Sequence, residues 1–154
     1  PSGSERVTSG ECYLLDTNVV SKLMRSEPNR AVLDWIDVVG VAGLAFSTIS
    51  RWEIRYGLAL LPKGKRRDEL TLRFDALVAD LFGAGVYDFT TAAAERCASI
   101  MVGKRALGEP LDDHLPDAMI AGIAGQAGLP VATRNRAEFR NCGLVLIDPW
   151  AAEN

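Results

Sequence analysis

Tyr13-Leu14-Leu15-Asp16-Thr17-Asn18 is the stretch that decides the fold, because a short apolar run ends there abruptly in a carboxylate. An apolar run without polar alternation is typical of a parallel strand that is buried on both faces. In an open α/β sheet, ligands bind just beyond the carboxyl ends of the strands. Asp16 is therefore expected either to cap the helix that follows or to hold a metal ion at that edge.

Four more short apolar runs follow this one, and segments with helical periodicity separate them. The five strands are predicted at residues 12–15, 43–46, 85–89, 130–133 and 144–147, and the helices at 19–24, 31–38, 49–60, 65–81, 91–107 and 116–127. Strands that alternate with helices predict an α/β fold, in which helices cover both faces of a mostly parallel, five-stranded sheet.

Size and composition fit one globular domain. The chain has 154 residues, of which 48% are hydrophobic and 24% are charged, and residues 12–154 are expected to form a single domain. The polar residues 1–11 are expected to be a flexible N-terminal extension or a remnant of expression. No apolar run approaches the roughly 20 residues that cross a bilayer, so we expect a cytoplasmic protein without membrane contact.

The reactive side chains narrow the possible chemistry. Three widely spaced cysteines, Cys12, Cys97 and Cys142, form no Cys-x-x-Cys pair and no disulfide framework. A single histidine, His114, argues against a His/Cys zinc site and against a Ser-His-Asp hydrolase. The net charge of −3 shows no general basic excess for nucleic acids, although a local basic patch can still bind one. Carboxylates remain as the main catalytic resource.

Four polar residues fall on the predicted carboxyl edge of the sheet. Asp16 follows the first strand, Glu53 lies in the first turns of the third helix, Asp117 lies in the first turn of the last helix, and Asn135 follows the fourth strand. Carboxylate and amide oxygens are ligands that suit Mg²⁺ or Mn²⁺. Together these residues predict a site for such an ion, which activates water in many nucleases.

Each of these residues also has a purely structural interpretation. Asp16 could only N-cap the next helix. Ser50-Arg51-Trp52-Glu53 fits a capping box, in which Glu53 would only close its own helix. Asp117 could only complement a helix dipole, and Asn135 could be only a turn residue. Their common position at one predicted edge favours a site.

Five motifs in the chain resemble those of PIN-domain ribonucleases, in the VapC/FitB-like branch. They are Leu14-Leu15-Asp16-Thr17-Asn18-Val19-Val20, Ser47-Thr48-Ile49 with Trp52-Glu53-Ile54-Arg55-Tyr56-Gly57-Leu58, Leu115-Pro116-Asp117-Ala118-Met119-Ile120-Ala121, Val131-Ala132-Thr133-Arg134-Asn135 and Ile147-Asp148-Pro149-Trp150. The resemblance extends over nearly the whole chain, and the order and spacing of the motifs together are quite specific.

This resemblance implies a PIN-domain fold and a Mg²⁺- or Mn²⁺-dependent endoribonuclease. It further implies the toxin of a bacterial type II toxin–antitoxin module, whose cognate antitoxin, a small DNA-binding protein, blocks the active site. Homodimers are usual in the family, and a larger toxin–antitoxin assembly is also expected.

Residue by residue, Asp16, Glu53 and Asp117 match the three acidic positions of the family, which implies that they bind the metal and carry catalysis. Asn135 departs from the Asp that many relatives have at its position. It is therefore expected to be at most a weak ligand. A single-metal site, or a second metal that assembles only with the substrate phosphate, is favoured. The side chains expected to orient carboxylates or waters are Thr17, Asn18 and Thr133.

Two basic clusters are candidate contacts for RNA. Lys65 and Arg66 belong to the densest basic run, at residues 63–67, for which a solvated helix start is the favoured interpretation. Arg134 and Arg136 follow the fourth strand and are preferred for phosphate contacts, because they lie beside the predicted site.

Several large apolar side chains have two interpretations. Trp35, Trp52 and Trp150 could stack on bases, but their apolar neighbours favour packing in the core or in an interface. Tyr56 and Leu60, one turn apart on the helix that carries Glu53, could line an antitoxin groove or only the core.

Two other functions remain open. A catalytically weak or inactive PIN domain could bind RNA or antitoxin without cutting, and Asn135 keeps this alternative open. A receiver-like signalling domain also clusters carboxylates at the edge of a parallel sheet. Against it, the first strand ends in one Asp rather than two, and no Lys follows the last strand.

Overall fold

A computed structural model describes residues 11–110 and 115–151 of the protein. Most of the predicted extension 1–11, and also His114, lie outside the described residues. The strands are β1 (Tyr13–Leu15), β2 (Leu44–Ser47), β3 (Gly85–Tyr87), β4 (Val131–Ala132) and β5 (Leu146–Ile147). The helices are α1 (Thr17–Leu23), α2 (Arg30–Val39), α3 (Thr48–Leu60), α4 (Lys65–Asp80), α5 (Thr91–Ala106) and α6 (Leu115–Ala127), with 3₁₀ helices at Val41–Gly43 and Arg136–Phe139. In this part of the chain, no helix is long and apolar enough to cross a membrane.

All five strands pair in parallel, in the order β3-β2-β1-β4-β5. β1 lies at the centre, where Leu14 pairs with Ala45 of β2 and Leu15 pairs with Ala132 of β4. The predicted parallel sheet is confirmed, and each predicted strand and helix is present, with its ends shifted by at most two residues. Because the strands are parallel, their carboxyl ends lie at one edge of the sheet.

The side chains of β1 alternate between two buried clusters. Tyr13 and Leu15 belong to the cluster on one face of the sheet, and Leu14 belongs to the cluster on the other. None of the three is more than 2% exposed. β1 is therefore buried on both faces, which explains why its sequence is apolar without alternation.

The tryptophans occupy three different environments. Trp35 is fully buried, and its ring meets Tyr13 edge to face with the ring centroids 5.2 Å apart. Trp150 is partly buried against the same cluster. The prediction of core packing is confirmed for Trp35, whereas Trp52 is 55% exposed on α3 and does not pack in the core.

Helices α5 and α6 approach each other closely at Gly122. A Cβ atom at this position would lie 2.6 Å from the Ala93 carbonyl oxygen and 2.9 Å from the Cys97 Cβ. Both distances are shorter than a normal contact, so only glycine allows this approach. The contact fixes the position of α6, whose first turn reaches the carboxyl edge of the sheet.

Replacement of Gly122 by alanine is expected to lower the free energy of unfolding by about 1 to 3 kcal/mol, because the added methyl group would overlap a backbone carbonyl of α5. Gly103→Ala is the matched control, since Gly103 is a helical glycine of α5 with no atom within 4 Å of an added Cβ. It is expected to raise stability by up to about 1 kcal/mol. Urea unfolding of both variants measures the difference, and equal midpoints would contradict the close contact.

Candidate active site at the carboxyl edge of the sheet

Asp16 is fixed directly after β1. Its side chain is 1% exposed; Oδ1 accepts a hydrogen bond from the Thr17 N–H at 2.8 Å, and Oδ2 accepts one from the Thr133 hydroxyl at 2.9 Å. The Asp16 backbone N–H donates to the Ala132 carbonyl at 2.9 Å. The bond to Thr17 makes Asp16 the N-cap of α1. Asp16 therefore caps α1 and also lies at the carboxyl edge of the sheet, so the two interpretations of this residue are compatible.

Glu53 reaches the same edge from the second turn of α3. This helix begins at Thr48, and its N-cap is Ser47, whose Oγ accepts a hydrogen bond from the Ser50 N–H at 3.1 Å. The capping box considered for Ser50 and Glu53 is therefore wrong, because Ser50 lies inside the helix rather than at its N-cap. Glu53 Oε1 instead accepts a hydrogen bond from the Thr17 hydroxyl at 2.6 Å.

A chain of hydroxyl groups connects α1 with α3 behind the carboxylates. Thr17 Oγ1 lies 2.8 Å from Ser50 Oγ, which lies 3.5 Å from Ser47 Oγ. Both serines are fully buried. The Thr17 hydroxyl thus donates a hydrogen bond to Glu53, in the same way that the Thr133 hydroxyl donates one to Asp16. Asn18, in contrast, is exposed on α1, and within the described residues its side chain forms no hydrogen bond.

Asp117 joins this group from the first turn of α6. Burial raises the pKa of Asp117 to about 7, and the charges of Asp16, Glu138 and Glu53 and a hydrogen bond with Glu138 add to the rise. Burial also raises the pKa of Asp16 to about 6; its two hydrogen bonds lower this pKa, and the charges of Glu53 and Glu138 raise it. The charges of Glu53 and Glu138 act on both aspartates, so the four carboxylates lie near one another.

Glu138 is the member of this group that the sequence analysis missed. It is half-buried on the 3₁₀ helix Arg136–Phe139 and forms a hydrogen bond with Asp117. Asn135, the expected weak ligand, is exposed, and in the described part of the chain its side chain forms no hydrogen bond. Its backbone N–H donates to Thr133 Oγ1 at 3.0 Å, and its carbonyl oxygen accepts from the Glu138 N–H at 3.1 Å. The signal in the sequence was an acidic residue six positions after the end of β4.

The donor atoms of this group fit a hard divalent cation. All of them are carboxylate oxygens, which Mg²⁺ and Mn²⁺ prefer. A cation would relieve the repulsion that, together with burial, raises the pKa values of Asp16 and Asp117. Among residues 11–110 and 115–151, no three His, Cys, Asp or Glu side chains are already gathered at coordinating positions.

A groove leads away from Glu53 between α1, α3 and α4. It encloses about 230 Å³, and its lining includes Arg25 and Arg66. Lys65, next to Arg66, is exposed and pairs with Glu69 at 3.9 Å on its own helix. A larger cavity, of about 520 Å³, is lined by residues that precede β1, β4 and β5, so it lies at the opposite edge from the carboxylates. Of the two, the groove is the one that meets the candidate site.

The second basic cluster lies on the segment that follows β4. Arg134 and Arg136 are both exposed, and the Arg134 guanidinium lies over the Trp150 ring, 5.1 Å from its centroid. The Trp150 ring therefore helps to hold the Arg134 guanidinium in place. Because Glu138 stands on the same segment, the two arginines are close in sequence to an acidic residue of the site.

An apolar stripe runs along the outer face of α3. Trp52, Tyr56 and Leu60 follow one another at one-turn spacing and are 55%, 60% and 67% exposed. The alternative that Tyr56 and Leu60 belong to the core is therefore wrong. Large apolar side chains exposed together are typical of a surface that binds another protein.

Without divalent ions, the stability of the fold is expected to fall as the pH rises from about 4 to about 7. Asp16 and Asp117 both have a pKa above that of an unfolded aspartate, so the folded chain binds more protons than the unfolded chain in this interval. Asp117→Asn removes one ionisation. Because Asp117 is partly exposed, the variant is expected to exceed the wild type by only about 1 to 3 kcal/mol at pH 8, and to match it near pH 4.

Urea unfolding in EDTA at several pH values measures this difference. Asp37→Asn, at an exposed position of α2, is the control for loss of an acidic charge outside the site. An advantage of Asp117→Asn that did not grow with pH would contradict the clustering of buried carboxylates.

Comparison with known proteins places the chain in a family. The PIN domain profile matches residues 13–143. Plasmid stability protein StbB of Pseudomonas syringae pv. tomato is 42% identical over 139 residues, which cover 90% of this chain and 99% of that protein. VapC ribonuclease Y4jK of Sinorhizobium fredii is 38% identical over 137 residues, covering 89% of this chain and 96% of that protein. Toxin FitB of Neisseria gonorrhoeae is 33% identical over 137 residues, covering 89% and 97%.

A solved structure agrees with these sequence relatives. FitAB bound to an IR36 DNA fragment has a TM-score of 0.81 and 32% sequence identity to this chain, covering 92% of this chain and 98% of that chain. The fold of this chain is therefore similar to that of the solved FitAB structure. The chain belongs to the PIN-domain family, in the branch of the VapC and FitB toxins.

Proposed function

We propose that this protein is a Mg²⁺- or Mn²⁺-dependent endoribonuclease that acts as the toxin of a bacterial type II toxin–antitoxin module. The observation that carries the proposal is the convergence of four carboxylates, those of Asp16, Glu53, Asp117 and Glu138, at the carboxyl edge of the sheet. Relatives named VapC ribonuclease and toxin FitB support the activity and the biological role.

The four carboxylates would hold the ion, and neighbouring hydroxyl groups prepare them for it. A divalent ion held by these residues would supply a water of lowered pKa and would neutralise charge that develops on a phosphodiester. The Thr133 hydroxyl holds Asp16, and the Thr17 hydroxyl holds Glu53. Such contacts keep ligands oriented, so little rearrangement is needed when the ion and the RNA bind.

The alternative of an inactive, RNA- or antitoxin-binding module rested on the missing charge at Asn135. Glu138 supplies a carboxylate close by, which favours an active site over a degenerate one. The receiver-like signalling domain loses its support, because the PIN-domain match covers residues 13–143.

Asp16→Asn and Asp117→Asn are each expected to lower Mn²⁺-dependent cleavage of RNA at least about 100-fold, because each removes a charged ligand. Glu138→Gln is expected to lower it as well, whereas Asn135→Ala is expected to stay within about twofold of the wild type. Cleavage of a labelled RNA measures the rates, and Asp37→Asn is the surface control. Unchanged cleavage by Asp16→Asn would contradict the assignment.

Calorimetric titration with Mn²⁺ separates lost binding from lost chemistry in the same variants. A wild-type protein that neither bound Mn²⁺ nor cut RNA would favour the inactive module. Sequencing of RNA ends after induced expression, with Asp16→Asn as the control, would identify the RNA that is cut.

Arg134 and Arg136 are proposed to contact phosphates of the RNA, and Arg66 and Lys65 to extend this contact at the groove beside Glu53. Arg134→Glu and Arg136→Glu are each expected to weaken RNA binding and to reduce the slope of log affinity against log salt by about 1.

Fluorescence anisotropy with an Asp16→Asn background, which prevents cleavage, measures the affinities. Arg30→Glu is the matched control, since Arg30 is an exposed arginine on α2 that pairs with Asp34. Thermal unfolding checks that loss of the Arg134 contact with Trp150 leaves the fold intact. An unchanged salt slope would remove these arginines from the RNA contact.

The partners are proposed by extension from the relatives. Solved neighbours include FitAB and VapBC complexes bound to DNA, so a small DNA-binding antitoxin is the proposed inhibitor of this chain. The groove beside Glu53 is the proposed place for the antitoxin segment, because it joins the site directly. The exposed stripe of Trp52, Tyr56 and Leu60 is proposed as the contact of a homodimer, within a larger toxin–antitoxin assembly.

A further inference from the structure

Lys104 is a charged residue at a core position. It lies in the last turn of α5, on the face that also buries Ala93, Cys97 and Ile100, and it is only 5% exposed. A buried ammonium group destabilises the fold unless it is paired and its donors are used. The contacts of Lys104 therefore need an explanation that packing alone does not give.

All three donors of the Lys104 ammonium group have an acceptor. Nζ donates to the Glu138 carbonyl oxygen at 3.2 Å, to the Arg140 carbonyl oxygen at 3.0 Å and to Glu109 Oε1 at 3.4 Å. The two carbonyls stand at the end of the 3₁₀ helix Arg136–Phe139. The lysine thus binds the backbone of the segment whose side chain, at Glu138, faces Asp117.

A second contact holds the same segment. Glu109 Oε2 accepts a hydrogen bond from Asn141 Nδ2 at 2.9 Å, while its other oxygen receives Lys104. Asn141 has a φ of 63°, so the chain turns sharply directly after the carbonyls that Lys104 binds. Phe139, which lies between the two residues whose carbonyls bind Lys104, is buried in the core and anchors the segment. The backbone around Glu138 is therefore fixed from the side of α5.

We propose that Lys104 is a positioning residue of the metal site, which holds the backbone of Glu138 so that the Glu138 carboxylate faces Asp117. This proposal rests on the proposed function, because it assigns Glu138 to the ion. Lys104 itself does not contact the ion or the RNA in this arrangement. Its effect on the site should therefore pass entirely through Glu138.

A double-mutant cycle on Mn²⁺ affinity tests this dependence. Lys104→Met keeps the length of the side chain but removes its charge and donors, and it is expected to raise the Mn²⁺ dissociation constant about 10- to 100-fold. In the Glu138→Gln background, the same change is expected to have less than about a twofold effect. A purely structural lysine would weaken binding equally in both backgrounds, and that result would overturn the proposal.

Further variants keep the test decisive. Lys63→Met, at an exposed position, is the control for loss of a lysine charge and is expected to leave the affinity unchanged. If Lys104→Met does not fold, Lys104→Arg replaces it in the cycle, because the guanidinium keeps the charge but cannot reproduce the three contacts. A loss of Mn²⁺ affinity that occurs only when Glu138 is intact supports the proposal. An equal loss in the protein with Glu138 and in the Glu138→Gln variant overturns it.

The outcome is distinguishable from failure of the proposed function. Absence of Mn²⁺ binding in the wild type would overturn both the metal site and the role of Lys104. Wild-type binding that Glu138→Gln weakens and Lys104→Met does not would overturn only the role of Lys104. Wild-type binding that Glu138→Gln leaves unchanged would also overturn that role, while the site of Asp16 and Asp117 would stand.

Discussion

The pairing of β1 with β4 is the contact on which the candidate site depends. Leu15 pairs with Ala132, so the next residues of the two strands, Asp16 and Thr133, leave the sheet side by side. The Thr133 hydroxyl then donates to Asp16 Oδ2, and the Asp16 N–H donates to the Ala132 carbonyl. A slip of one residue would direct Asp16 to the other face, because side chains alternate along a strand. The register of two buried strands therefore sets the position of the carboxylate.

The segment after β4 connects this register to the rest of the acidic group. It begins at Thr133, which holds Asp16, and continues to Glu138, which forms a hydrogen bond with Asp117. Its far end is bound by Lys104 and Glu109 from the chain around the end of α5. Through the side chains of Thr133 and Glu138, this short segment contacts two carboxylates of the site, and buried groups hold it at both ends. This arrangement explains how a segment with little regular structure can present an acidic side chain reproducibly.

Much of the fold and part of the site could be predicted from the sequence, and the limits have physical causes. The apolar run before Asp16 predicted a strand buried on both faces, because that property depends on composition alone. The choice of Ser50 as a helix cap failed because the exact end of β2 decides it, and Ser47 proved to be the residue at that end. Glu138 was missed because the path of a 3₁₀ turn is set by tertiary contacts such as those of Lys104. The exposure of Trp52 could not be predicted from the sequence either, because an apolar stripe on a helix can face the core or a partner protein.

The site also shows why a fold can retain buried carboxylates that lower its stability. Burial and mutual repulsion raise the pKa values of Asp16 and Asp117, so their ionised forms oppose folding at neutral pH. Apolar replacements would remove that opposition, yet Asp16 is supported by two hydrogen bonds that favour its charged form. A site that buries Asp16 and still donates two hydrogen bonds to its charged form is suited to a positive partner rather than to the stability of the isolated chain. In the proposed function that partner is a divalent ion, whose positive charge would attract the carboxylates and offset the repulsion among them.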